Sequence, residues 1–247
     1  MIKENHGVFV FAQQVDKTIT NVSYELIGKG KEIAQELGTQ VSALLVGSGI
    51  KELAEELVEY GADRVIVVDD EALETYTVEP YTQAVTAAVK EYKPEILLMG
   101  ATAIGRDLAP RVAARLHTGL TADCTGLEVD KEKQGLLMTR PAFGGNIMAT
   151  IECPDYRPQM ATVRPGVMVK RLRDKEAHVA WDNFILCITN ANKWTLHFIF
   201  SVSHRIEQRA MCSTSRTLLY CITTHLFSSF LKFCNIMCTI KNFNTFY

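Results

Sequence analysis

Four short apolar runs alternate with amphipathic helix patterns across residues 7–119, and this alternation narrows the fold more than any other feature of the chain. The runs are Gly7–Phe11, Val41–Val46, Arg64–Val68 and Ile96–Met99. Each is nearly continuous in apolar residues, as strands covered on both faces require, so they predict the parallel sheet of a βαβ succession. Between them, apolar residues recur every three or four positions: Leu26, Gly30, Ile33 and Leu37; then Ile50, Leu53, Ala54, Leu57 and Val58; then Tyr81, Ala84, Val85, Ala88, Val89 and Tyr92. Each helix buries one stripe on the sheet. Gly38 and Gly61 follow the first two helices where a left-handed cap is usual, and Pro94 closes the third.

Beyond Gly119 the period shortens to two, through Gly126–Asp130, Leu136–Thr139, Ile147–Ile151 and Met160–Val163. Turn chemistry lies between them at Lys131–Gly135, at Gly144–Asn146 and around Pro154–Pro158. These read as hairpin strands, an antiparallel extension of the α/β domain.

Composition divides the chain near Ala177. All 15 glycines and all 7 prolines precede that point, while both tryptophans and five of the seven cysteines follow it. The first 177 residues carry net charge −6 and the remaining 70 carry +4. Seventy residues without Gly or Pro contain little turn chemistry, so residues 175–247 are expected to be a tail of unknown or absent fold. Its composition suits out-of-frame or read-through translation. The apolar stretch Leu218–Ile240 includes His225, Ser228, Lys232 and Asn235, which argues against a membrane span. Cys234 and Cys238 lack partners at zinc-ligand spacing. A net charge of −2 gives no basic face for nucleic acid, and the N-terminus lacks a secretory signal pattern, so a cytoplasmic protein with reduced thiols is expected.

The chemistry-bearing segment is Gly100-Ala101-Thr102-Ala103-Ile104-Gly105-Arg106-Asp107-Leu108-Ala109-Pro110. A helix beginning close behind Pro110, with Asp107 as its N-cap, leaves the preceding residues as a loop past the carboxyl end of a parallel strand, where open α/β sheets bind ligands. Arg106 and a helix N-terminus there suit an anion such as a nucleotide phosphate or a partner's carboxylate. Equally, Arg106 could pair with an acid, and the two glycines could serve close helix–strand packing. Gly47-Ser48-Gly49 is only a fragment of a phosphate loop and reads better as a cap. Cys124, with His117 seven residues before it, lacks the accompanying motif of a catalytic thiol. Arg140-Pro141-Ala142-Phe143-Gly144-Gly145-Asn146 suits either a bulged hairpin or a surface touching a flat cofactor.

Five segments together resemble the electron transfer flavoprotein alpha-subunit family, bacterial type, in its N-terminal domain: Gly7–Ala12, Gly100–Thr102 with Gly105–Arg111, Gly119–Thr125, Arg140–Asn146 and Met160–Gly166. The resemblance covers about residues 1–174. It implies an adenine-nucleotide-hydrolase-like α/β domain that pairs with a beta subunit to form a base, on which a separate C-terminal domain carries FAD. It also implies an electron carrier rather than an enzyme, fed by flavin dehydrogenases in processes such as fatty-acid β-oxidation, with the cofactor supplying the redox chemistry. Arg106, Arg140, Gly144, Gly145 and Asn146 are family motif positions near the flavin or the subunit interface. The glycine-rich flavin loops expected after Arg173 do not occur in this sequence, so the chain is expected to be truncated and to bind no FAD alone. The alternative is a free-standing adenine-nucleotide-binding module of the same fold.

Overall fold

The computed structural model describes residues 6–130, 132–133, 135–145, 147–177, 182–185 and 200–202. Strand β1 (Val8–Ala12) leads through the two-residue ladder β2 (Gln14–Val15) and β3 (Thr18–Ile19) into helix α1 (Asn21–Leu37). Then come β4 (Val41–Gly47), α2 (Leu53–Glu59), β5 (Arg64–Asp69), α3 (Val78–Tyr92), β6 (Ile96–Gly100), α4 (Ala103–Leu116) and β7 (Leu120–Cys124). The antiparallel strands β8 (Gly126–Asp130), β9 (Gly135–Ala142) and β10 (Ile147–Ile151) follow, and β11 (Gln159–Val163) returns to the main sheet. Two further strands, β12 (Asp182–Ile185) and β13 (Phe200–Val202), lie past Ala177.

The main sheet runs β13-β12-β5-β4-β1-β6-β11-β7, and its six strands up to Val163 are parallel. Alternate residues of each strand serve opposite faces. Val8, Val10 and Ala12 pack with α1, α2 and the three-stranded sheet, while Phe9 and Phe11 pack with α3 and α4. Both faces are therefore covered, which explains why β1, β4 and β6 are buried along their whole length. The helix ends follow the expected caps: Gly38 takes φ +66° and gives its amide to the Ala34 and Gln35 carbonyls. Lys93 and His117 end α3 and α4 in the same left-handed conformation, at φ +47° and +54°.

Two expectations are corrected. Met160–Val163 does not extend the hairpins; β11 lies parallel between β6 and β7, with Met160 opposite Leu97 and Ala161 opposite both Leu98 and Thr121. All five of its residues are buried, so its short Met-Ala-Thr-Val run is a central strand and not an alternating one. The helix after β6 does not wait for Pro110. It starts at Ala103, with Pro110 inside it and on its exposed side, as Arg106 is. The carbonyl that Pro110 leaves without an amide belongs to Arg106, four residues earlier, and an exposed helix face lets water take that role.

After β11 the chain runs back across α1 and α2. The Gly166 amide donates to Glu25 Oε2 at 2.9 Å, and Arg173 Nε reaches Glu59 Oε2 at 2.5 Å. Lys170 Nζ lies 4.4 Å from the Tyr24 ring centroid and 4.5 Å from that of Tyr60. Gly28 makes this crossing possible, because a Cβ there would stand 2.7 Å from the Val169 carbonyl oxygen. Among the described residues no helix is long and apolar enough to cross a membrane.

Candidate functional site

The strand order reverses at β1: the chain moves to β4 and β5 on one side, then crosses to β6 on the other. The crevice beyond the carboxyl ends of β1 and β6 is the place where open α/β sheets take ligands. Here Thr102 and Gln13 bond each other. Thr102, the true N-cap of α4, accepts the Gly105 amide at 3.1 Å and donates its hydroxyl to Gln13 Oε1 at 2.5 Å. Gln13 is 6% exposed, and its carbonyl accepts from Thr20 N, Thr20 Oγ1 and Ser23 Oγ at 2.9, 3.1 and 3.2 Å.

The glycines of this junction serve close packing. A Cβ on Gly105 would stand 1.8 Å from the Gly100 carbonyl oxygen, and one on Gly100 would stand 2.7 Å from Val22 Cγ1. The neighbouring Gly47-Ser48-Gly49 loop is likewise satisfied internally. Gly49 N donates to Asp69 Oδ1 at 2.7 Å, so a carboxylate of the protein occupies the position a phosphate oxygen would need. The Gln14 amide nitrogen lies against Gly47.

Arg106 sits in the second turn of α4 and not on a loop. Its Nε and Nη2 each approach Asp123 Oδ1 at 3.1 Å, across to the end of β7. Asp107 is no cap; it accepts from Tyr76 Oη at 2.9 Å and from Arg111 Nε at 3.3 Å. Burial, followed by the hydrogen bond to Asp107, raises the Tyr76 hydroxyl well above its ordinary range. Asp123 adopts φ +59°, unusual for a residue with a Cβ, and is held there by its amide donating to Thr162 Oγ1 at 3.0 Å.

Cys124 follows, fully buried, its thiol pushed up to about 11 by burial and lowered in part by the Arg140 charge. His117 caps α4 ahead of β7, and β7 alone puts about 13 Å of extended chain between Leu120 and Cys124, so the two make no nucleophile–base pair. Arg140 is brought beside this edge because the Thr125 amide donates to the Thr139 carbonyl at 2.9 Å. Past it, Gly144 and Gly145 make the β9–β10 turn at φ +74° and +90°, with nothing within 4 Å of where a Cβ would project. Asn146 lies outside the described residues.

The structure thus gathers Arg106 and Arg140 around Asp123 and Cys124 at the carboxyl edge of the sheet, with the open glycine turn continuing from Arg140. Asp123, Thr102 and Gln13 are the residues that sequence reasoning left out of the site. Thr102 had a legible signal, a cap-forming hydroxyl three residues before a glycine at the end of an apolar run. Gln13 and Asp123 had none, because each acts through a partner tens of residues away.

Comparison with known proteins covers the same part of the chain. Residues 8–183 match the family described as electron transfer flavoprotein domain. The chain is 54% identical over 167 residues to "Electron transfer flavoprotein subunit alpha" of Thermoanaerobacterium thermosaccharolyticum, covering 68% of this chain and 50% of that protein. It is 53% identical over 176 residues to the protein of the same name from Clostridium acetobutylicum, covering 71% and 52% respectively. It is also 49% identical over 170 residues to "Lactate dehydrogenase (NAD(+),ferredoxin) subunit LctC" of Acetobacterium woodii, covering 69% and 40%. The chain spans about half the length of the curated relatives it matches. With the family match running over residues 8–183, more than two thirds of the chain, the chain belongs to the electron transfer flavoprotein family.

Proposed function

We propose that this chain is an electron-transfer component, the N-terminal part of an electron transfer flavoprotein alpha subunit, whose partner is a beta subunit. The observation that carries the reading is the open edge of the three-stranded sheet. On β10, Ile147, Met148 and Ile151 are 54%, 56% and 38% exposed, and among the described residues the strand has a neighbour, β9, on one side only. An apolar, unpaired edge of this kind is a liability in a free domain and an asset at a protein interface. The Gln13 and Thr102 side chains, bonded to each other in the crevice, support a carrier base over a free-standing nucleotide-binding module.

FAD is the cofactor of the assembled heterodimer in this reading, accepting electrons from flavin dehydrogenases. The residues present fit its margin: Arg106 is more than half exposed, and the Gly144–Gly145 turn stands open. Arg106, Arg140, Gly144, Gly145 and Asn146 would line one side of the bound flavin or the subunit boundary next to it. Bound FAD supplies the redox reactivity. The protein's own part is positional: the Asp123 carboxylate fixes the Arg106 guanidinium, and the positive-φ turn lets backbone approach a planar group. In this reading the exposed margin formed by the described residues covers one side of the flavin and does not enclose it. This reading makes residues 1–174 the family domain and 175–247 a distinct segment.

The test is to mix the purified chain with the beta subunit that accompanies one of the full-length relatives. Size-exclusion chromatography should give a complex of one copy of each, and the chain alone should show no flavin absorbance. A yellow monomer with stoichiometric FAD, or no complex at micromolar concentration, overturns the proposal.

A further inference from the structure

The free edge of β10 has a symmetry of its own. Met148 stands opposite Pro141 on β9, and Thr150 stands opposite Thr139. Pro141 has no amide to give, and the Thr139 carbonyl is turned the other way, accepting the Thr125 amide at 2.9 Å. The N–H and C=O of one residue point to the same side of its strand, and the sides alternate along a ladder. The polar backbone groups of Met148 and Thr150 therefore face away from β9, while those of Ile147, Ala149 and Ile151 face it.

β10 ends the three-stranded sheet, and the usual guards of an edge strand are missing from it. From Phe143 to Ile151 the sequence has no charged residue and no proline, and the β9–β10 register runs without a bulge. The first charge is Glu152, and Lys133 Nζ holds it at 2.9 Å.

We infer that β10 pairs antiparallel with β10 of a second copy of this chain, about a two-fold axis at Ala149, closing the edge until a beta subunit takes it. Such pairing must set outward-facing residues opposite each other. With the axis at Ala149, Met148 exchanges both backbone hydrogen bonds with Thr150 of the second copy. The same register sets Ile147 against Ile151 on one face, so two exposed isoleucines of each copy cover those of the other. The two Glu152 carboxylates fall at opposite ends of the paired strands, about 20 Å apart by strand rise, too far for screened repulsion at physiological salt. One strand pair is far smaller than the about 800 Å² per partner of a stable interface, so the dimer is weak and yields to a larger partner. The inference rests on the reading of β10 as an interface edge and adds the second copy as its occupant.

Sedimentation equilibrium of the full chain under reducing conditions tests it, over about 1 to 500 µM, because a dimer's population follows concentration. The average mass should rise from one chain toward two, and hydrogen exchange at the Met148 and Thr150 amides should slow severalfold over the same range. Met148→Pro removes an amide that β9 does not use, and Thr150→Lys places a charge on the edge. Each should keep the chain monomeric with little change in melting temperature, and if Met148→Pro does not fold, Thr150→Lys carries the test. A chain monomeric throughout, amides of Met148 and Thr150 protected at every concentration, or self-association indifferent to a folded variant overturns the pairing. Adding the beta subunit of a full-length relative separates the two readings. A monomeric chain that still forms the one-to-one complex overturns the pairing alone, whereas a dimer sensitive to both variants that forms no such complex upholds the pairing and overturns the carrier proposal.

Discussion

Arg106 and Asp123 meet at 3.1 Å across the carboxyl edge of the sheet, joining the second turn of α4 to the next-to-last residue of β7. The pair is exposed on the arginine side, 58% against 27% for Asp123, so it contributes little to folding, about 0–1 kcal/mol. Arg106→Ala should therefore melt within a few degrees of the parent and still lose affinity for a beta subunit. Asp123→Asn, which keeps the left-handed conformation, should behave alike. A variant that fails to fold would show that the ion pair is structural.

Gly105 and Gly144 separate two reasons for a glycine. Alanine at Gly105 would place its Cβ 1.8 Å from a backbone oxygen that cannot move without parting α4 from β6. The expected cost is about 4 kcal/mol or more, at the extreme of single substitutions. Alanine at Gly144 meets open space, and only φ +74° opposes it, at about 1–2 kcal/mol. Chemical denaturation of the two variants measures both, and equal costs would contradict the packing described here.

Thr102→Ala should destabilise the domain by about 2–4 kcal/mol. Roughly 1 kcal/mol is the lost helix cap, and the rest is the Gln13 side chain left buried without its donor. Thr102→Ser keeps both bonds and should recover most of the loss, and failure to recover would place the effect in the methyl group's packing instead.

Cys124 makes stability depend on pH in the alkaline range. Its thiol is raised from an ordinary 9.0 to about 11 by burial. The unfolded chain therefore releases this proton first, and stability falls as pH climbs from 9 through 11, by about 2–3 kcal/mol in all. Below pH 9 the contribution is complete. Cys124→Ala should flatten that part of the stability–pH curve. With iodoacetamide at pH 8, peptide mapping should find Cys153 modified and Cys124 protected while the domain is folded.

The chain crossing over α1 and α2 should be held by its cations. Lys170→Ala removes contact with the Tyr24 and Tyr60 rings, which stand 4.1 Å apart, and should cost about 0.5–1 kcal/mol. A double-mutant cycle with Tyr60→Leu isolates this interaction, and zero coupling would mean that the lysine merely lies near the rings.

The periodicity of the sequence was enough for the strands and helices of residues 7–100, because each buries a continuous or striped apolar face and no other arrangement satisfies the backbone. The Gly38 cap and the hairpin turn at Gly144–Gly145 were legible for a similar reason: a left-handed backbone restricts which residue can stand there. Membership of the family was legible too, from motifs spread over five segments. The start of α4 was not. Pro110 is the strongest local signal in that stretch, yet a threonine hydroxyl, a buried glutamine 89 residues earlier and a glycine pressed on a carbonyl set the helix end instead. Neither was the place of β11, whose five residues suit a hairpin or a central strand until β6 and β7 stand on either side. Arg106 had several available acids along the chain, and the return of β11 beside β7 positions Asp123 as its partner. Local chemistry dictates what a segment can become, whereas the pairing of distant segments depends on which buried polar groups must satisfy one another, and that is decided only when the sheet closes around them.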